Sequence, residues 1–248
     1  MTSEFAGQAA IVTGGSSGIG FAVATLLVER GARVVLVARG AARLAAAAEK
    51  MGGPVTLVAG DASQAETADR AVAAALEHFG TLDVLANIAG WYPTALVEHT
   101  SDADFHATVA ANLTTTFTMC RAALPALRKA GGAIVNMSST AARFPTPGLA
   151  AYSAAKAGIE AFTRALAAEA APAVRVNAVS AGPTLTDAVR ELMETDTTGA
   201  VKAVTSGLPM GRLAETSEIA EAVLFLASRR ASIITGQVLH ANSGGLMA

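Results

Sequence analysis

Seven short runs rich in β-branched residues, at 9–12, 33–37, 55–58, 82–86, 133–137, 174–179 and 237–240, are separated by longer amphipathic or alanine-rich stretches. The helical stretches fall at about 18–30, 41–51, 64–79, 102–129, 152–170 and 216–228, with Gly31, Gly80 and Gly131 standing where three of them should stop. Such alternation pairs the strands in parallel and places helices on both faces of the sheet. Val34-Val35-Leu36-Val37 is apolar on both faces, as a strand sandwiched between helix layers must be. The expected fold is α/β: a doubly wound, parallel, seven-stranded sheet in a Rossmann-like three-layer sandwich, one domain over 1–248. Residues 184–207 break the rhythm, because Thr, Gly and Asp interrupt a helical pattern of Leu185, Val189, Leu192, Met193 and Val201. An insertion past the end of a strand reads as a substrate lid.

Composition bounds the function. A chain of 248 residues buries roughly 70–75% of its surface on folding and needs neither disulfide nor structural metal. The single cysteine, Cys120, excludes an internal disulfide framework and a Cys-based zinc site, and it points to a reducing compartment, the cytoplasm. Lys and Arg number 18 against 20 Asp and Glu, with no basic run, so nucleic acid and anionic membrane are not expected partners. The acidic start, Met1-Thr2-Ser3-Glu4-Phe5, and the short apolar stretch after it do not make a signal peptide. Charge-free stretches are broken by Gly, Asn, Ser or Thr before reaching the ~20 apolar residues of a membrane span.

After the first run comes Thr13-Gly14-Gly15-Ser16-Ser17-Gly18-Ile19-Gly20, leading directly into a helix. Glycines let the backbone approach a phosphate, and the helix N-terminus offers free N–H donors and a positive dipole. Alone, the pattern is also that of an ordinary tight turn between strand and helix. Tyr152 and Lys156 lie four apart on a helix and so share a face. A Tyr hydroxyl titrating at ~10 must fall by roughly 3 units to act as a base near neutrality. An ammonium ~4 Å away is worth about 4 kcal/mol at an effective dielectric near 20, enough to supply most of that. Ser138 and Ser139 follow the run at 133–137 and deliver a hydroxyl to the same sheet edge, where it can hold a substrate oxygen.

Taken in this order and spacing, the motifs resemble those of the short-chain dehydrogenase/reductase family, with its T-G-x-x-x-G-x-G turn and Y-x-x-x-K pair, over Ile11 to Leu246. The resemblance implies hydride transfer between a nicotinamide cofactor and a ketone or secondary alcohol. It implies that Tyr152 exchanges the proton, that Lys156 depresses the Tyr152 pKa and holds the ribose, and that Ser139, thirteen residues before Tyr152, orients the oxygen. Asn112 matches the family's mid-helix Asn, which holds a water linking Lys to solvent. Cofactor contacts are implied for Gly14, Ser16, Ser17, Gly18, Ile19 and Gly20 in the turn and for Asp61 and Ala62 after the third strand. They extend to Asn87, Ala89 and Gly90 after the fourth, to Gly182, Thr184 and Thr186 at the nicotinamide end, and to Tyr152 and Lys156. Three departures stand out: Ile88 for the second Asn of N-N-A-G, Ala181 for Pro, and Asn242-Ser243 for Asp-Gly. The enoyl-reductase branch spaces its Tyr and Lys farther apart than Tyr152 and Lys156.

The second run ends Val37-Ala38-Arg39-Gly40, placing Ala38 where the family's NAD-selecting Asp would stand and Arg39 beside it. NADP(H) is therefore the expected cofactor, with NAD(H) the alternative. Trp91, Tyr92, Phe144, Leu149, Leu185 and Val189 outline an apolar substrate site, medium-sized or cyclic in preference, although Arg143 and Arg190 are positioned in sequence to meet a carboxylate. His78, His99, His106 and His240 have no metal-ligand spacing, and no metal is expected. Small and apolar residues on the helices at 102–129 and 152–170, together with the resemblance, imply a homotetramer. Arg128-Lys129 offers a small landing patch for an acyl carrier protein, so a 3-oxoacyl-carrier or polyketide-type ketoreductase remains the alternative. A regulator that senses the dinucleotide without turnover is the reading from another class.

Overall fold

A computed structural model describes residues 3–197 and 199–247. Its elements in chain order are β1 (Ala9–Thr13), α1 (Gly18–Glu29), β2 (Arg33–Ala38), α2 (Ala41–Met51), β3 (Val55–Ala59), α3 (Ala65–Phe79), β4 (Val84–Asn87), α4 (Asp102–Val109) and α5 (Thr115–Ala130). There follow β5 (Ala133–Ser139), α6 (Ala150–Ala170), β6 (Arg175–Ala181), β7 (Thr184–Leu185), α7 (Asp187–Thr195), α8 (Ala200–Ser206), β8 (Ala214–Glu215), α9 (Thr216–Ala227) and β9 (Val238–Ala241). Seven strands form one parallel sheet in the order β3-β2-β1-β4-β5-β6-β9. All seven expected strands are present, each within two residues of its expected bounds. The winding reverses between β1 and β4, so the loops leaving these neighbours diverge and open a crevice at the carboxyl edge.

Each face of the sheet has its own core. Ala10, Val12, Leu36 and Val179 pack with α1, α2 and α9 on one side. Ile11, Val35, Ile134 and Val176 pack with α3, α5 and α6 on the other, where Ala68, Ala71, Ala75, Ala123 and Ala126 let the helices sit close. Gly80 and Gly131 end α3 and α5 in the left-handed conformation, as their positions implied.

Two features depart from the sequence reading. The expected continuous helix over 102–129 is interrupted by a π turn at Ala110–Thr114, where the Thr115 hydroxyl donates to Ala110 O at 3.0 Å. Residues 184–207, expected to form a lid, carry α7 and α8, and their start pairs with a distant segment in a two-stranded parallel ribbon, Thr184 opposite Ala214 and Leu185 opposite Glu215. Thr198, within that stretch, lies outside the described residues.

Arg175, at the start of β6, caps the end of α9. Its guanidinium donates to Leu226 O (2.7 Å), Ala227 O (3.0 Å), Ser228 O (2.9 Å) and Ala231 O (3.1 Å). Leu226 O and Ala227 O end α9, where carbonyls lack a helical partner, while Ser228 O and Ala231 O in the following turn also accept from Ala231 N (3.2 Å) and Ile234 N (2.9 Å). Arg175→Met is expected to cost about 2–3 kcal/mol, the range for losing charge-assisted hydrogen bonds to partly buried acceptors. A urea midpoint equal to that of the parent would contradict this role.

Candidate active site

The turn between β1 and α1 is built on close backbone approaches. Gly14 has φ +70°, and a Cβ there would stand 3.0 Å from Ala89 Cα; at Gly20 a Cβ would fall 2.2 Å from Gly14 O. A larger residue at Gly14 would push the turn off Ala89 in the loop after β4, and one at Gly20 would push α1 off the turn. Ser17 is the N-cap of α1 without a side-chain capping bond, and the first turn carries no acidic residue. The helix therefore presents open N–H groups and the positive end of its dipole.

Beside this turn lies a cleft of about 450 Å³, within the range of small-molecule and cofactor sites. Gly14, Ser16 and Ser17 form one wall; Ala38, Arg39 and Arg43 line it where β2 passes into α2; Asp61 and Ala62 line it after β3, and Ala89, Gly90 and Trp91 after β4. An open helix N-terminus, a glycine cradle and two guanidiniums along one groove suit a phosphorylated dinucleotide. The remaining implied cofactor residues do not line this cleft. Ile19 packs on the core beneath the turn. Thr186 reaches back to the turn, its Cγ2 3.5 Å from where a Gly18 Cβ would be. The Thr184 hydroxyl donates to Gly182 O at 2.9 Å. Asn87 is buried, donating to Asn136 Oδ1 at 2.9 Å and Cys120 Sγ at 3.3 Å, and so ties β4 to its neighbours.

Tyr152 and Lys156 lie in the opening turns of α6. Lys156 is 2% exposed, its Nζ donates to Met137 O at 2.8 Å, and it stands 5.5 Å from the centre of the Tyr152 ring. Asn112, on the π turn, is fully buried; its Nδ2 donates to Trp91 O (2.7 Å) and Thr108 O (2.9 Å), while its Oδ1 has no protein partner. A Cβ on Gly90 would fall 2.7 Å from that Oδ1 and 3.4 Å from Lys156 Nζ, so a bare backbone is what lets these groups converge. The helix irregularity that sequence periodicity could not show is what carries Asn112 here. Of the two serines, Ser138 turns into the protein and donates to Glu160 Oε1 at 3.1 Å. Ser139 accepts from Ala141 N at 3.2 Å and hydrogen-bonds Tyr152.

Electrostatics differ from the sequence expectation. Burial pushes the Tyr152 hydroxyl up to about 12; the Ser139 hydrogen bond opposes this and the Tyr92 ring adds to it. Burial also pulls Lys156 down to about 7. Burial is the largest cause of both shifts, and it weakens as a cation the Lys156 Nζ that stands 5.5 Å from the Tyr152 ring centre.

Of the residues expected to line a substrate site, Trp91, Tyr92, Phe144 and Leu149 lie on two loops that meet, and Leu185 and Val189 lie in β7 and α7. Ala95 N donates to Gly148 O at 3.0 Å, joining the loop after β4 to the loop before α6. The Tyr92 ring packs on Tyr152 with centroids 5.2 Å apart, and Phe144 is exposed at the end of the opposite loop. Leu149 caps the start of α6; Leu185 in β7 and Val189 in α7 are half-buried. Trp91 lines the dinucleotide cleft. Arg143 pairs with Glu160 at 3.0 Å and Arg190 with Glu215 at 2.8 Å, so both arginines have carboxylate partners within the chain.

Sequence reasoning missed Thr13 and Arg43. The Thr13 hydroxyl accepts the N–H groups of Ile88 and Ala89, both at 3.0 Å, and pins the turn after β4 to β1. Arg43, four residues after Arg39 at a helix start, was legible from spacing alone. The departures also find accounts. Asn242 accepts from Gly244 N (3.0 Å) and donates to Leu246 O (2.8 Å), while Ser243 holds φ +54° where the family's glycine would be unstrained. Ala181 pairs in register with Ser139, and Ile88 packs in the core below the turn. Among the described residues, no helix is long and apolar enough to cross a membrane, and no group of three or more His, Cys, Asp or Glu could hold a metal.

A glycine-cradled cleft at the switch point of a doubly wound sheet, with a buried ammonium beside its Gly90 edge and a phenol and a serine on the adjoining helix and strand end, is the arrangement of a nicotinamide-dependent oxidoreductase class. A family model described as "Enoyl-(Acyl carrier protein) reductase" matches residues 14–245. The chain is 37% identical over 250 residues to a 3-oxoacyl-[acyl-carrier-protein] reductase of Chlamydia muridarum, covering 98% of this chain and 99% of the relative. It is 37% identical over 252 residues to a 2,5-dichloro-2,5-cyclohexadiene-1,4-diol dehydrogenase of Sphingobium indicum, covering 98% of each. A solved short-chain dehydrogenase/reductase of Brucella melitensis, described as a glucose/ribitol dehydrogenase, superposes with TM-score 0.94 at 38% identity over 100% of both chains. The chain belongs to the short-chain dehydrogenase/reductase family and is an NAD(P)-dependent oxidoreductase acting on CH–OH groups.

Proposed function

We propose that this enzyme interconverts an apolar, medium-sized or cyclic ketone and its secondary alcohol, using NADP(H) in preference to NAD(H). When bound, the nicotinamide supplies or accepts the hydride. Ser139 holds the substrate oxygen and Tyr152 gives or takes its proton. Lys156 stabilises the phenolate and holds the ribose, and the unpartnered Oδ1 of Asn112 receives a water that returns protons toward Lys156. Gly14, Ser16, Ser17, Gly18, Ile19 and Gly20 cradle the phosphates, Asp61 and Ala62 flank the adenine, and Gly182, Thr184 and Thr186 support the nicotinamide end. Arg39 and Arg43 take the 2′-phosphate.

The observation that carries the substrate class is the Tyr92 ring packed on Tyr152, in a mouth whose two candidate arginines are already ion-paired. A carrier-linked 3-oxoacyl reductase is the second reading, favoured by the Chlamydia relative. Against it, the cationic patch is only Arg128 and Lys129, and one guanidinium N–H of Arg128 is held by Glu169 O at 2.8 Å. A panel of cyclic ketones, sugars, carboxylated ketones and 3-oxoacyl thioesters, free and carrier-bound, separates these readings by kcat/KM. Cyclic apolar ketones are expected to lead; preference for charged or polyhydroxylated substrates overturns the assignment, carrier-bound thioesters would favour the second reading, and cofactor binding without turnover would favour a dinucleotide sensor.

The enzyme is further proposed to act in the cytoplasm as a homotetramer. Phe117 on α5 is 44% exposed and meets Phe162 on α6 edge-on at 6.1 Å, an apolar surface suited to a symmetric helix pair. Light scattering at micromolar concentration should give four times the chain mass, and a monomer would reject it.

A further inference from the structure

Glu160 is a buried carboxylate that the proton relay does not use. It lies one turn after Lys156 on α6, is 3% exposed, and has both oxygens engaged from different directions. Ser138 Oγ donates to Oε1 at 3.1 Å, and Arg143 Nε donates to Oε2 at 3.0 Å. These partners flank the short segment that carries Ser139. Between them a 3₁₀ turn spans Thr140–Ala142, and Arg143 N and Phe144 N both donate to Thr140 O, at 3.0 and 2.8 Å. Ser138 is itself 1% exposed, and its hydroxyl also lies 3.4 Å from Lys156 O.

The pair joins a buried carboxylate to an exposed guanidinium, and such a pair is a weak source of stability. What this carboxylate does supply is geometry. It fastens both ends of the Ser139 segment to the helix that carries Tyr152 and Lys156, so the serine and the phenol are referenced to one rigid element. We propose that Glu160 is a positioning residue that acts through Ser139, with Arg143 as its partner rather than as a substrate-binding cation. The proposal rests on the assignment of Ser139 and Tyr152 made above.

The test compares the parent, Glu160→Ala, Ser139→Ala and the double variant, measuring kcat, KM and the NADPH Kd by fluorescence titration. Glu160→Ala is expected to lower kcat between about tenfold and 10²-fold, as misplacement of a reacting group by a fraction of an ångström does. The NADPH Kd should stay within about twofold, and adding Glu160→Ala to Ser139→Ala should cost nothing further, because residues acting as a unit are not additive. Glu160→Gln keeps an acceptor for Ser138 and should recover part of the loss; it replaces Glu160→Ala in the cycle if that variant fails to fold. A kcat within about twofold of the parent, or the same loss in both Ser139 backgrounds, overturns the proposal. Ser139→Ala with undiminished kcat would instead overturn the assignment of Ser139 on which it stands.

Discussion

Tyr152→Phe is expected to lower kcat by ~10²–10⁴-fold, the usual contribution of a general acid–base group, while leaving fold and cofactor binding intact. The phenyl ring keeps what the tyrosine ring now has, the contact with Tyr92 at 5.2 Å and the Lys156 ammonium at 5.5 Å. Only the hydroxyl and its hydrogen bond with Ser139 are removed. With burial holding that hydroxyl near 12, it is protonated at neutral pH and equipped to protonate an alkoxide in the reductive direction. Rapid-mixing measurement of the chemical step, beside an NADPH titration, checks both halves. More than about a tenth of the parent rate would remove Tyr152 from the role, because that is less than acid–base loss should cost.

Replacing Ala38-Arg39 by Asp-Ile is expected to reverse cofactor preference. An acid at this place accepts from the adenosine ribose 2′-OH and repels a 2′-phosphate, and the substitution also deletes one of the two guanidiniums in the cleft. Charge-assisted hydrogen bonds are worth about 1.5–3 kcal/mol, which is roughly 10–10²-fold in kcat/KM for NADPH. Arg43→Leu alone should weaken NADPH without helping NADH, since it introduces no partner for the 2′-OH. Kinetic constants with both cofactors decide the matter: the parent should favour NADPH, and a parent already favouring NADH about tenfold would contradict the assignment of Arg39 and Arg43.

Much of this was legible in the sequence because its signals are local. The run Val34-Val35-Leu36-Val37 reports burial on both faces without knowledge of its neighbours, and Gly80 and Gly131 announce helix ends by their own conformational preference. The family motifs then located Ser139, Tyr152, Lys156 and Asn112 on the strand end, helix and bent helix where the structure has them. What stayed hidden depends on partners far apart in the chain. The ribbon of β7 and β8 is too short for periodicity to register. The π turn under Asn112 accompanies a long-range hydrogen bond to Trp91 O, which helix periodicity does not register. The raised Tyr152 and lowered Lys156 values follow from burial, which pairwise charge reasoning leaves out. Glu160 carries no signal of its own in the sequence, because what distinguishes it is its hydrogen bonds from Ser138 and Arg143, both distant in the chain.

Hydride transfer between a nicotinamide and a carbinol carbon beside Tyr152 is the reaction proposed for this chain. Its most direct test uses NADPH carrying deuterium at nicotinamide C4, in each stereochemical position separately, with the ketone that the substrate panel ranks first. Mass spectrometry and NMR of the product should find deuterium on the carbinol carbon for one of the two labelled cofactors, with the parent enzyme and far more slowly with Tyr152→Phe. Label retained entirely in the cofactor, or product formed without it from either cofactor, would contradict the account.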